Sequence, residues 1–239
     1  MNVLQAIEAR HSVRAFAKQP VDPALIWKIL EAGRKAPSWS NSQPWEFAVI
    51  AGEPLNALRK EMYETGRRGV PRNPDIPHPK TFPDRHQNRR RLNAKMLFSA
   101  LNIPREDSAQ REEFNLSMLR FFDAPVGIIL LMDSQLDGTW SVLDMGCCLQ
   151  NIMLAAVELG LGTCAEASIT AYPDVVRKHL HMGKEKRVMC GLALGHPERG
   201  TVLGDFRSIR VALDEISYWI GIDPPLRGGE HEPGSGTGI

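Results

Sequence analysis

Cysteine is scarce in this chain of 239 residues: Cys147, Cys148, Cys164 and Cys190 are the full set, and none stands at CxxC or zinc-ligand spacing. A disulfide framework and a structural zinc site therefore find no support. All four lie in apolar stretches, as expected for reduced core thiols of a cytoplasmic protein. An excess of charge of one sign is missing too, since 29 basic residues against 28 acidic ones leave a formal net charge of +1. Without a whole-protein field to gather nucleic acid or coat an anionic membrane, any anion must be bound locally.

No uninterrupted apolar run approaches the roughly 20 residues of a membrane span, and the N-terminal MNVLQAIEARHS mixes an acid and polar residues among its apolar ones. The expectation is a soluble chain. His179 and His181 are the one close histidine pair and would point apart on a helix, so no metal is expected. The motif GxSxG is lacking, which leaves nucleophilic acyl transfer without support. GxGxxG is lacking as well, so a nicotinamide nucleotide would have to bind transiently rather than in a dinucleotide fold.

What is present reads as one domain over residues 1–222, followed by a tail, 223–239, rich in Pro, Gly and Ser that is expected to be flexible. Val3, Leu4 and Ile7 have helical spacing over residues 2–9. Leu25, Ile26, Ile29 and Leu30 repeat it over 23–35, behind the start signal of Asp22 and Pro23. WEFAVIAG (45–52) reads as a strand leading to a helix over 54–65. APVGIILLMD (124–133) and RVMCGLALG (187–195) read as buried strands, the first of them central. Residues 139–160 are too long for a strand and nearly apolar all round, which predicts a buried helix in the core or between subunits. VALDEISYW (211–219) is expected to be a short closing element. Helices interleaved with few strands, without regular βαβ alternation, indicate an α+β three-layer domain.

Between residues 66 and 83 the pattern gives way to GRRGVPRNPDIPHPKTFP, where prolines and glycines forbid regular structure. A polar helix over 84–101 follows. A long loop of this kind inside a compact domain suggests a lid, here spanning 66–118. RRRLNAK (89–95) is expected to be a solvated helix face.

Two stretches carry chemistry. RHSVRAF (10–16) places Arg10, His11, Ser12 and Arg14 within five positions. Two guanidiniums and a hydroxyl can satisfy several phosphate oxygens, although a solvated surface cluster would look the same. PSWSNSQPW (37–45) is a proline-pinned loop of small polar side chains suited to a planar heterocycle bearing carbonyl and ring-nitrogen groups, or to a polar turn into a strand.

The order of RHSVRAF, PSWSNSQPW, LAAVELGLGTCAE (154–166), GLALGHP (191–197) and FRSIRVALDEI (206–216) resembles the FMN-dependent nitroreductase family over roughly residues 1–220. The resemblance implies an α/β/α sandwich around a mostly antiparallel sheet, in an entwined homodimer with FMN at the subunit interface and NAD(P)H as electron donor. It assigns the flavin phosphate to Arg10, Ser12 and Arg210, with His11 contributing to the same pocket. Arg14 falls at the pyrimidine end of the ring, where a fixed cation stabilises charge on the reduced flavin. Pro37, Ser38, Trp39 and Asn41 match the loop laid along the flavin by the partner subunit. Ala165, Glu166 and Ala167 match the segment whose backbone N–H faces flavin N5. No side-chain acid or base is obligatory.

NPDIPHPKTFPDRHQNRRR (73–91) and FFDAPV (121–126) resemble the branch acting on nitroaromatics such as nitrobenzoates. Within the lid, Arg67, Arg68 and Arg72 are candidates for attracting a substrate carboxylate. The function so implied is two-electron, ping-pong reduction of nitroaromatic compounds. Other chemistry on the same scaffold (quinone or enone reduction, reductive dehalogenation, oxidation with oxygen) and a non-catalytic anion- or nucleic-acid-binding module are the competing expectations.

Overall fold

The computed structural model describes residues 1–136, 138–222 and 224–225. They fall into two compact units, Met1–Ser208 and Ile209 onward. The first holds a four-stranded sheet of β1 (Glu46–Ala51), β2 (Val126–Asp133), β3 (Gly162–Glu166) and β4 (Lys186–Gly195) in the order β1-β2-β4-β3. Every neighbouring pair is antiparallel. The α+β architecture with a central antiparallel sheet, expected from the sequence, is what is found.

β2 is central, and its side chains alternate strictly between two cores because successive residues of a strand face opposite ways. Val126, Ile128, Leu130 and Met132 pack with Ile26, Ile29, Met145, Cys148 and Ile152 of helices α2 (Pro23–Gly33) and α6 (Thr139–Glu158). Ile129 and Leu131 pack on the other face with Leu55, Leu58 and Met62 of α3 (Gly52–Arg67) and with Val176 of α7 (Pro173–Leu180). Three layers result. The α2–α6 crossing is close enough that a Cβ on Gly33 would come within 2.5 Å of the Ile152 side chain.

Local signals set the helix starts. Asn2 and Gln5 form a reciprocal capping box on α1 (Val3–Ala9), each side-chain oxygen accepting the other's backbone N–H at 2.9 Å. Asp22 accepts from Ala24 N–H at 2.8 Å ahead of Pro23. Val3, Leu4 and Ile7 do form a helical stripe, but it faces outward, while Ala6 is the buried residue. α6 is likewise buried on one face only, with Trp140, Val142 and Leu143 exposed on this chain. Its length and hydropathy would suit a membrane crossing, yet its inner face is a layer of the domain core.

The segment 66–118 divides into the end of α3, a loop, α4 (Asp84–Ala100) and α5 (Ser108–Ser117). α4 buries only Leu97, and RRRLNAK lies mainly exposed along it. Its C-terminal end is tied down by Phe98, which packs edge-on against Phe114, itself 5.9 Å from Phe122. Phe121, Phe122 and Asp123 have φ of 55°, 48° and 55°, a left-handed excursion that turns both phenylalanines into the core. In the second unit, VALDEISYW contains a single 3-10 turn at Leu213–Glu215 and no strand. Of the tail, Asp223 and residues 226–239 lie outside the described residues.

Candidate cofactor site

β3 is the edge strand that brings the first motif into place. After α1 ends at Arg10, the chain runs beside β3: Ser12 bridges Thr163, and Val13 N–H donates to Thr163 O at 2.9 Å. Val13 fits there because residue 162 is glycine, where a Cβ would lie 2.7 Å from the Val13 side chain. Past Thr163 the outer side of β3 carries no further strand among the described residues. Ala165 and Ala167 are exposed at this end, whereas Glu166 between them is only 3% exposed. Two methyl-sized side chains on an open strand edge let a flat ring approach the backbone closely.

Polar groups gather under that edge. Arg14 donates to the Ser12 carbonyl at 3.1 Å, and its backbone N–H donates to Leu203 O at 2.8 Å. Neither carboxylate oxygen of Glu166, nor the hydroxyl of Thr163, has a hydrogen-bond partner. Burial drives the Glu166 carboxyl well above its ordinary range, and the nearby Arg14 guanidinium only partly opposes this. Burial also pushes Cys164 to about 12, with the Glu166 charge adding to it, and Cys190 to about 11, where a hydrogen bond from the Glu166 backbone opposes the rise and the Glu166 charge adds a smaller amount. They are inert thiols. Cys148 is likewise pushed to about 12, first by burial and then by Cys147. Orphaned buried polar atoms beside an open edge and a cation fit a polar heterocycle stacked over Ala165–Ala167.

His11 serves as a brace. Its Nδ1 faces Ala9 O at 3.0 Å and its Nε2 faces Gly204 O at 2.8 Å, fastening the end of α1 to α8 (Val202–Asp205). With both ring nitrogens so engaged, His11 shapes the pocket instead of offering a free donor. A cavity of about 300 Å³ opens behind it, lined in part by Val13, Gly162, Arg199 and Arg207. Arg210 is an exposed residue of the second unit.

Pro37, Ser38, Trp39 and Asn41 are held elsewhere, against α6. The Trp39 N–H is 3.1 Å from both carboxylate oxygens of Asp144, a buried residue of α6. Ser38 Oγ accepts from Gln43 N–H at 3.0 Å, closing a loop in which Ser40, Asn41 and Gln43 have φ of 51°, 55° and 48°. Trp39 itself is 62% exposed. Asp144 was not singled out by the sequence: an acid in the interior of an apolar helix of 20 residues was the available signal, because an unpaired charge is not buried there without a partner.

The loop after α3 is fastened beside β3. Asn73 N–H donates to Ala171 O at 3.0 Å, the Tyr172 hydroxyl to Val70 O at 3.1 Å, and the His78 ring meets Thr170 Oγ1 at 3.0 Å. Asp75 accepts from Val188 N–H at 2.8 Å and pairs with Arg177, which is buried. These bonds hold the strap to the 3-10 turn Ala167–Ala171 that continues from Glu166 and, through Asp75, to β4 and α7. Arg67 and Arg68, at the end of α3, and Arg72, in the strap, are exposed. Among the described residues no group of three or more His, Cys, Asp or Glu is placed to hold a metal ion.

Fold and site together define an α+β domain whose edge strand β3 lies open beside the segment that carries Arg14. A profile of the nitroreductase family matches residues 7–196, and the chain belongs to that family. Among curated relatives, the nitrobenzene nitroreductase of Ectopseudomonas oleovorans is 34% identical over 218 residues, covering 90% of this chain and 95% of the relative. The 4-nitrobenzoate reductase of Pseudomonas putida is 30% identical over 217 residues, covering 91% and 95%. Of solved structures, the FMN and NADPH-dependent nitroreductase NfnB from "sphigopyxis sp. strain HMH" superposes with a TM-score of 0.87 at 34% identity. It covers 93% of this chain and 100% of that one. The FMN-dependent NfnB from Mycobacterium smegmatis, solved in complex with NADPH, gives 0.85 at 27% identity, with 92% and 100% covered.

Proposed function

We propose that this protein is an FMN-dependent, NAD(P)H-using reductase of nitroaromatic compounds that works as a soluble, cytoplasmic homodimer. The observation that carries the reading is the placement of Arg14 and Ser12 against an edge strand whose exposed Ala165 and Ala167 flank a buried Glu166. Relatives named for nitrobenzene and 4-nitrobenzoate, matched over nearly their whole length, support the substrate class.

Bound FMN would supply the two-electron hydride exchange, and the protein's part is to hold and orient. Arg10, Ser12 and Arg210 are the proposed phosphate ligands, through charge-assisted hydrogen bonds. His11 keeps the first two in register by its bonds to Ala9 and Gly204. Arg14 holds positive charge at the pyrimidine end of the ring, and the backbone of Ala165–Ala167 meets its central edge. The loop Pro37–Asn41 is proposed to close the site from a second copy of the chain. Support for that comes from its seat on α6 and from the apolar side chains that α1 and α6 leave exposed. The open apolar groove beside it, lined by Pro37, Val142 and Leu143 among others, has the same character.

The segment 66–118 is the proposed substrate-selecting cover, fixed at the strap and freer along α4. Arg67, Arg68 and Arg72 would draw in an anionic substituent, favouring nitrobenzoates over neutral nitroarenes. The test is an anaerobic acceptor screen with the purified, FMN-loaded protein, comparing a nitroarene, a quinone and a halophenol. A colourless protein with no affinity for FMN, or hydride transfer to the quinone alone, would overturn the reading.

A further inference from the structure

Glu166 is a group for which the proposed chemistry has no use. It lies at the end of β3 with both carboxylate oxygens buried and unpartnered, which for an ionised carboxylate in a protein interior is a costly state. The groups around it come from three elements. Arg14 approaches from the segment after α1, Cys164 lies two residues back along β3, and Cys190 lies across the sheet on β4. Cys190 donates to its neighbour's carbonyl, Gly191 O, at 3.1 Å, and both thiols are neutral, so Arg14 is the charge that Glu166 senses. The guanidinium of Arg14 is half-buried and bonded to the Ser12 carbonyl, close to Glu166 yet outside ion-pair distance.

A half-buried cation thus lies near a buried carboxyl, on the segment that runs beside the open edge strand β3. We propose that Glu166 is the proton-holding group of the cofactor site: negative charge arriving beside Arg14 draws the guanidinium's field away, and Glu166 takes up one proton from water. The inference rests on the reading of Arg14 as ring-facing. The step forms one O–H bond on Glu166 and leaves a hydroxide equivalent in solvent. It breaks no bond of the cofactor and keeps the pocket's net charge nearly constant while two electrons from the nicotinamide donor reside on the flavin. Glu166 is accordingly a positioning residue for charge, acting through Arg14.

The FMN-loaded full chain tests this through the pH dependence of its two-electron midpoint potential, a readout that a merely structural role would not move. Each proton taken up per two electrons contributes about 30 mV per pH unit. In the range where Glu166 titrates, the slope in E166Q is expected to be shallower than wild type by that amount, and equal slopes would overturn the proposal. If E166Q does not fold, wild type carrying isotope-labelled glutamate decides. At a pH high enough that Glu166 of the oxidised protein is ionised, its reduced-minus-oxidised infrared spectrum must gain the C=O band of a protonated glutamate, and absence of that band refutes the idea. If the chain binds no FMN, the cofactor reading fails separately. The ligand-free protein then still answers: a protonated-glutamate band persisting above the ordinary glutamate range, and missing in E166Q, supports the buried acid, whereas its disappearance at ordinary pH overturns it.

Discussion

Replacing Asp144 by Ala should loosen the 38–43 loop before it affects the fold as a whole. Both carboxylate oxygens lie 3.1 Å from the Trp39 N–H, and a hydrogen bond to a charged acceptor contributes about 1.5–3 kcal/mol. Against this stands the strain of the loop. Ser40 and Gln43 sit at φ of 51° and 48°, a conformation costing roughly 1–2 kcal/mol for each residue with a Cβ, and Asn41 adds a smaller amount. The anchor and the strain are therefore of similar size. Once the anchor is gone, the Gln43-to-Ser38, Asn41-to-Ser38 and Ser42-to-Trp39 bonds are left to hold the turn. Global stability should fall less, by about 1 kcal/mol, because removing the carboxylate also removes its burial cost. If the loop walls the cofactor, FMN affinity should fall roughly 10- to 100-fold, at tenfold for each 1.4 kcal/mol. D144N, which keeps a neutral acceptor, should fall between. Amide hydrogen exchange at Trp39, Ser42 and Gln43 reads the loop, and flavin fluorescence quenching reads binding. Unchanged exchange at Trp39 in D144A would refute the anchoring argument, and a loosened loop with unchanged FMN affinity would refute its place at the cofactor.

Further consequences follow from burial and charge. Because the folded-state carboxyl of Glu166 is raised above its unfolded value, its contribution to stability is fully present at low pH and is lost as pH rises from about 4.3. E166Q should therefore gain on wild type with increasing pH in chemical denaturation, by at most about 1.4 kcal/mol per pH unit; a pH-independent difference would contradict the assignment. Asp75→Ala removes one of the two carboxylates paired with Arg177 and the acceptor of Val188 N–H. It should cost about 3 kcal/mol in denaturant unfolding and raise proteolytic cutting in the 70–80 strap. Gly191→Ala places a Cβ 2.5 Å from the Ile169 side chain and should destabilise by about 1–3 kcal/mol, whereas Gly138→Ala, with open space around it, should change the thermal midpoint little. Thiol titration at neutral pH should label Cys147 first and leave Cys148, Cys164 and Cys190 slow until the protein unfolds, since burial holds all three near 11 to 12.

Sequence alone determined the parts of this protein whose signals are local. The apolar runs of β2 and β4 specify strands covered on both faces, and Asp22-Pro23 starts α2, because a cap and a period-2 or period-3.6 pattern act over a few residues. Two motifs in fixed order, RHSVRAF and PSWSNSQPW, were enough to indicate the family. β3 was not legible as a strand, since GTCAE is short and small-sided and gains its stability from pairing with β4. The outward stripe of α1 was read only as a helix, because periodicity gives a face but not its direction. Tertiary structure decided that Asp144 anchors Trp39 across 105 residues, that Asp75 straps the proline-rich loop to β4, and that Glu166 points inward while its alanine neighbours point out. These are pairings between distant segments, and their energies come from burial and charge that exist only once the layers have closed.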